Sequence, residues 1–456
     1  MRWVTSFAAL GLMMALFHRL TAAGPVEARA TLALGFLMLA AYLGGGLAAR
    51  ARLPRVTAYL LVGFCVGPAW LGLVRADEVR ALDFLADAAV ALIGFAVGTE
   101  LRLETLRLAS VRTPLLRATA GTIVLPFLFV ALVTLSVSPW FPITVHQPFR
   151  DAIAVALVLG TVAATSSPAL TMAVVEELGA RGPFARTLLA VSVAKDVVVI
   201  ALLSLVFAVA RVVGSPGTLN AGVAGTLLLR LGGSVAAGAL LGLGVARYLR
   251  LVRRGTVIFL VALAFLAAEI ARVLDLETVL IAVTAGVVAA NVFRSEGDEL
   301  VRSLRQHSLP VYVILFGLAG AGLQVGALQE AGLWWIVLLV GLRVWGLRYG
   351  TRWTAAGGGG GDDVTPAIAR YGWLGLISQG GVAMSLAAAA RRAFPEWGVS
   401  LEALLVAMLG VHEVVGPICL RRALVRAGEV TEGLHVESKP EVGGEIVAAA
   451  RSGGGV

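Results

Sequence analysis

Fourteen apolar runs of about membrane length follow one another along this chain and leave it little choice of fold. They span 4–23, 30–49, 56–74, 81–99, 116–138, 151–174, 188–210, 222–246, 256–273, 278–293, 309–326, 332–350, 371–390 and 401–419. Crossing the hydrocarbon of a bilayer takes roughly 20 mostly apolar residues in a helix. In lipid, only helices and closed barrels satisfy every backbone polar group. Barrel strands alternate in hydropathy, whereas these runs are apolar throughout. With 59% hydrophobic and 14% charged residues over 456 positions, the chain is too apolar for a water-soluble core. The expected fold class is an all-α polytopic membrane protein with 13–14 transmembrane helices, its surface set against the lipid bilayer.

The net charge of +9 could suggest a nucleic-acid partner, but the positions of the arginines argue otherwise. Loops and helix ends after even-numbered runs carry 21 of them, among them Arg50, Arg52, Arg55, Arg247, Arg250, Arg253 and Arg254. The odd-numbered ends carry 9. Basic residues concentrate on the cytoplasmic side of membrane proteins. The even loops and the C-terminus are therefore expected in the cytoplasm of a multi-pass cell-membrane protein, and no nucleic acid is implied.

The first run, 4–23, is also compatible with a signal peptide ending near Ala23. Its removal would leave thirteen helices and the same topology. Cys65 and Cys419 fall in or near apolar runs, so neither a disulfide framework nor a metal site is implied. Residues 1–427 form the expected transmembrane domain, and 428–456 a short polar tail. The Gly357–Gly361 run with Asp362 and Asp363 reads as a flexible connector. No GxGxxG motif occurs, and no cofactor is implied.

Two runs carry interruptions. GTVAATSSPAL, Gly160–Leu170, sets small hydroxyl residues before Pro168, which lacks a backbone donor and frees a carbonyl in the preceding turn. GLISQGGVAMS, Gly375–Ser385, sets Gln379 before Gly380 and Gly381. The two lie seven runs apart, and an odd offset inverts one half of the chain relative to the other. Broken helices at matching places in inverted halves point to a transporter's binding site. Glycine and proline that merely allow close helix packing are the plainer reading.

Buried charge falls in the neighbouring runs. VSVAKDVVVI, 191–200, holds Lys195 and Asp196; the only other lysine is Lys439. LLVGLRVWGLRYG holds Arg343, favoured by depth over Arg348. A charge at a helix centre costs about 2.5–3.5 kcal/mol on insertion scales and marks a cavity or a partner. Asp196 could be half of a structural ion pair with Arg343, or a site for a proton or hard cation beside carbonyls freed by the breaks. His412 and Glu413, in the inverted counterpart of the Lys195–Asp196 run, make Glu413 a secondary polar core group. Asp83, Asp87, Glu100 and Glu269 are weaker candidates, explained by helix-end residues reaching the interface.

In order along the chain, LPRVTAYLLVGFCVGPAWLGL (53–73), FAVGTEL (95–101), ATSSPAL (164–170) with VEELGARG, LLAVSVAKD, SQGGVAMSLA and HEVVGPICLRRALVRAGE (412–429) resemble the monovalent cation–proton antiporter superfamily, in the branch of Kef-type and sodium–proton exchangers. The resemblance covers roughly 50–430. It implies a sodium–proton antiporter fold of inverted repeats with two crossed broken helices. It also implies a homodimer, each protomer having a dimerisation bundle and a mobile core of about 81–210 and 309–421. The core would move as an elevator, with protons and monovalent cations, Na+ before K+, competing for Asp196. Thr165, Ser166 and Gln379 would stand near the acid, and Arg343 on the helix facing it.

Lys195 departs from that pattern, in which Asp, Asn or Gln precedes the acid. Adjacent helical residues do not face each other, so Lys195 need not neutralise Asp196. It could titrate during exchange. It could replace the metal cation, leaving another solute or protons alone as cargo, or it could point away and be silent. An intramembrane enzyme has little support, since HExxH, GxSxG and paired catalytic aspartates are lacking and Ser166 has no plausible base.

Overall fold

The computed structural model describes residues 2–21, 24–51, 53–101, 109–214, 221–252, 256–292, 309–323, 332–353, 364–394 and 396–430. The Gly357–Gly361 connector, Ala23 and residues 431–456 of the tail lie outside the described residues. Among the described residues the chain is helical, with no strand.

In chain order the helices are α1 (Arg2–Leu20), α2 (Val26–Arg50), α3 (Arg55–Val66), α4 (Ala76–Ala81), α5 (Asp83–Glu100) and α6 (Ala109–Ser136). Then come α7 (Phe149–Ala163), α8 (Pro168–Glu177), α9 (Pro183–Gly214), α10 (Ala221–Val252), α11 (Thr256–Leu274) and α12 (Thr278–Val292). The series closes with α13 (Leu309–Ala321), α14 (Leu333–Trp353), α15 (Val364–Gly375), α16 (Gly381–Ala393) and α17 (Gly398–Arg426). Every apolar run of the sequence meets a helix or a pair of half-helices. The short α4, which hydropathy does not announce, begins where the Glu78 carboxylate accepts from the Arg75 N–H at 2.9 Å.

Proline sets several starts. Pro25, Pro54 and Pro148 precede α2, α3 and α7 in extended conformation, where a missing N–H is harmless because the first turn has no acceptor for it. Among the described residues, five stretches are long and apolar enough to cross a membrane unaided: Val26–Arg50, Leu115–Ser136, Phe149–Glu177, Leu333–Trp353 and Gly398–Arg426. Helices α3, α12 and α13 are apolar but shorter.

Packing sorts most helices into two groups. In the first, α6 packs on α7, α9 and α14; α14 packs on α15; α17 packs on α15 and α16; and α9 touches α7, α8, α15 and α16. This group takes in the runs 5, 6 and 7 and their inverted mates 12, 13 and 14. In the second, α2 packs on α1, α3 and α4, while α5 packs on α11 and α12, and α12 on α10. The sequence-based core bounds also enclose α5 and α13; α5 packs chiefly on α11 and α12, and α13 meets α2 and α3. The groups touch where α3 meets α8 and α17, where α5 meets α8 and where α9 meets α10.

Inside the first group α6 and α14 approach backbone to backbone. A Cβ on Gly121 or on Gly350 would overlap the carbonyl oxygen of the other. Such contact is the usual means of helix association in lipid, where apolar surface gains nothing by leaving the tails.

Candidate functional site

The first break occupies 164–167, between α7 and α8. Pro168 has no N–H, and its ring excludes a helical carbonyl four residues back. Ser167 then serves as the cap of α8, its Oγ accepting from the Leu170 N–H at 3.2 Å. The second break occupies 376–380, between α15 and α16, with Gly380 extended at φ −161° and ψ −149°. The breaks touch: the Ser167 N–H donates to the Ser378 carbonyl at 3.1 Å. A Cβ on Gly380 would stand 2.7 Å from Ser167 Oγ.

Both α7 and α15 end at the crossing, so two sets of unpaired helix carbonyls converge there. Arg343 of α14, fully buried, fills this need. Its Nε donates to the Ala163 carbonyl at 3.1 Å and its Nη1 to Ile377 at 2.6 Å. Its Nη2 donates to Thr165 at 2.8 Å and to Leu376 at 3.1 Å. A planar fork of five N–H donors suits such a task, and a cation is favoured at helix C-termini. Gln379 adds a further tie, its Nε2 donating to the Val162 carbonyl at 2.8 Å and to Thr165 Oγ1 at 2.9 Å.

Lys195 and Asp196 lie midway along α9, a helix that touches all four half-helices. Their exposures are 0% and 4%. Among the described residues neither the Lys195 Nζ nor either Asp196 carboxylate oxygen has a hydrogen-bond partner. The Asp196–Arg343 ion pair, one of the two alternatives the sequence leaves open, is not formed. The guanidinium is committed to the four freed carbonyls, whose converging negative ends already supply its counter-charge. Charge does act at longer range: that of Arg343 reaches Lys195 and His412, and those of Lys195 and then Glu277 reach Asp196.

The structure brings Thr165, Gln379 and Arg343 into direct contact and leaves Ser166 buried at 2% exposure with its hydroxyl unpartnered. Glu413 is 7% exposed on α17. Arg348, the alternative core cation, is exposed and lies over the Trp373 ring at 5.6 Å. Glu269 pairs with Arg272 on the exposed face of α11, as a surface residue would.

Sequence reasoning passed over Ser192 and Ser378, and named His412 only beside Glu413. All three are buried and unpartnered by hydrogen-bond geometry. Signals existed. Ser192 precedes Asp196 by one helical turn, and His412 precedes by one turn Gly416, against which Ser378 packs. An unmet buried polar group costs about 1–3 kcal/mol, so several on elements that pack together mark a place suited to water or an ion.

Two structures of the sodium proton antiporter MjNhaP1 from Methanocaldococcus jannaschii are similar to this one. One, at pH 8, superposes with a TM-score of 0.64 at 16% identity over 89% of this chain and 100% of that chain. The other, an electron-microscopy map, gives 0.67 at 17% identity over 90% of this chain and 99% of that chain. At such identities the likeness is one of fold: inverted repeats with two crossed broken helices. No curated protein matches the sequence. The model for the transmembrane sodium/hydrogen exchanger matches residues 35–421, most of the length and every element of the crossing, and the chain belongs to that family.

Proposed function

We propose that this family member is a secondary antiporter exchanging a monovalent cation, Na+ in preference to K+, for H+, with Asp196 as the carboxylate for which the two compete. The first packing group would be the mobile core and the second the stationary bundle, moving past each other as an elevator in a homodimer of the cell membrane, C-terminus in the cytoplasm. The observation that carries this reading is a buried carboxylate with no hydrogen-bond partner among the described residues, on a helix that touches all four half-helices.

The physical argument is one of charge compensation. An uncompensated charge in the hydrocarbon costs about 2.5–3.5 kcal/mol. A proton or a cation at Asp196 removes that cost and each excludes the other, which is exchange. Arg343, held by backbone carbonyls, remains where it is whichever occupant is present. Hydroxyls of Thr165 and Ser166 and the side chain of Gln379 stand at the crossing as oxygen donors for a hard cation. No enzyme chemistry is involved.

A second reading is favoured by the fully buried Lys195, whose Nζ has no hydrogen-bond partner among the described residues. The lysine would take the place of the metal cation, and the cargo would be another solute or protons alone. Proton flux in proteoliposomes with an imposed pH gradient separates the two. Collapse of the gradient on adding Na+ to wild type, lost in Asp196→Asn, supports exchange; retention of that flux in Asp196→Asn overturns the role of the acid. A silent wild type with a responsive Lys195→Asn supports the second reading.

A further inference from the structure

Helix α3 begins after Pro54, which offers no side chain to cap it. Its cap comes from the other packing group. Both carboxylate oxygens of Glu177, the last residue of α8, accept from the Arg55 N–H, at 2.7 and 2.8 Å. One residue earlier, Glu176 accepts from the Tyr312 hydroxyl of α13 at 2.6 Å. Two successive acids at the end of a half-helix of the crossing therefore hold two helices of the opposite group. All these groups sit at the arginine-rich ends of their helices. A carboxylate at a helix N-terminus is favoured by the unpaired N–H groups and the dipole there.

We propose that Glu177, assisted by Glu176, is a positioning residue of the exchange reaction, holding α8 and the core it belongs to against α3 with the arginine-rich side of the seam shut. The proposal rests on the exchange reading for its purpose. A slide of the core by one helical turn, about 5.4 Å, across the line of the 2.7 Å contact stretches it to about 6 Å, out of hydrogen-bond range. The bonds must therefore break whenever Asp196 is presented to that side. The chain supplies its own control. Glu429 accepts from the Phe184 and Ala185 N–H groups at 2.6 and 2.9 Å, capping α9. Chemically this is the same bond, but it follows α17 and so joins two parts of one group, and sliding leaves it intact.

The reporter is also native. Cys419 of α17 is a half-buried free thiol, and α17 packs on α3 across the same seam. In a Cys65→Ala background, the rate of Cys419 alkylation by a maleimide is measured on the purified full chain in lipid nanodiscs, alongside its melting temperature. Loss of a hydrogen bond to a charged group shifts an open–closed ratio by about tenfold. Glu177→Gln is expected to raise the rate by about that factor, and Tyr312→Phe to raise it further in the double variant. Glu429→Gln is expected to lower the melting temperature without raising the rate. An unchanged rate in folded Glu177→Gln and in the double variant overturns the proposal, as does an equal rise in Glu429→Gln, which would mark general loosening. Cation-driven proton flux is recorded on the same proteins. If wild type shows none while Glu177→Gln still frees Cys419, the exchange reading fails and the positioning role stands.

Discussion

Gln379 donates to Thr165 Oγ1 at 2.9 Å, so a side chain of the second break closes a hydrogen bond of the first across 214 residues of sequence. Arg343 does the same from a third element, with carbonyls of both breaks in its grasp. The crossing is held by polar ties of this kind because small residues there leave too little apolar surface to hold it.

Gln379→Leu removes two of those ties while keeping the volume. Leaving buried partners short of a bond costs about 1–3 kcal/mol. A lowered melting temperature in detergent and weakened cation-driven proton flux are the expected outcome. An unchanged melt would mean the amide does not hold the breaks together.

Arg343→Lys keeps the charge but replaces a planar fork with a point charge of three donors, too few and wrongly arranged for four carbonyls. Destabilisation of about 2 kcal/mol or more is expected. Arg348→Lys, exposed beside Trp373, should stay within about 0.5 kcal/mol of wild type. Thermal unfolding of the two purified variants compares them directly.

Competition at one carboxylate fixes the sign of a pH effect. On the proposed reading a proton at Asp196 excludes the cation, so the apparent KM for the cation should rise as pH falls, with the maximal rate recovered at saturating cation. Binding linkage makes the effect reciprocal: more cation should release more protons from the protein. Proton release on mixing with Na+ in weak buffer measures this, and Asp196→Asn should show none.

Gly121→Ala sets a Cβ against the Gly350 carbonyl and forces α6 and α14 apart, an overpacking expected to cost about 1–3 kcal/mol. Gly341→Ala, in open space on the same α14, should instead stabilise by about 0.5–1 kcal/mol by restricting the helix. Opposite shifts in melting temperature are the check.

Hydropathy alone located the crossings, since lipid admits few other solutions. The breaks at 164–167 and 376–380 were legible because Pro168 and the paired Gly380 and Gly381 act locally on the backbone. The burial of Lys195, Asp196 and Arg343 followed from their place within apolar runs. What Arg343 binds was not legible, because its carbonyl partners lie 33 to 180 residues away and any backbone can supply a carbonyl. Nor was the capping of α3 by Glu177, for a carboxylate at a helix end reads as an interface residue until its partner helix is known. Ser192 and Ser378 were passed over for a similar reason: a lone serine in a membrane helix is common, and only the fold shows it without a partner.

The fork of Arg343 welds the two breaks into one body, and that separates two properties that are often confounded. On the proposed elevator motion, whatever ion the crossing prefers would be chosen by a pocket that travels unaltered, its ligands never reassembled on arrival. How fast it travels would be decided elsewhere, along the seam with α3 and α5. Substitutions at the crossing should then change which ion is carried, and substitutions at the seam only how often, so that one can be re-engineered without disturbing the other.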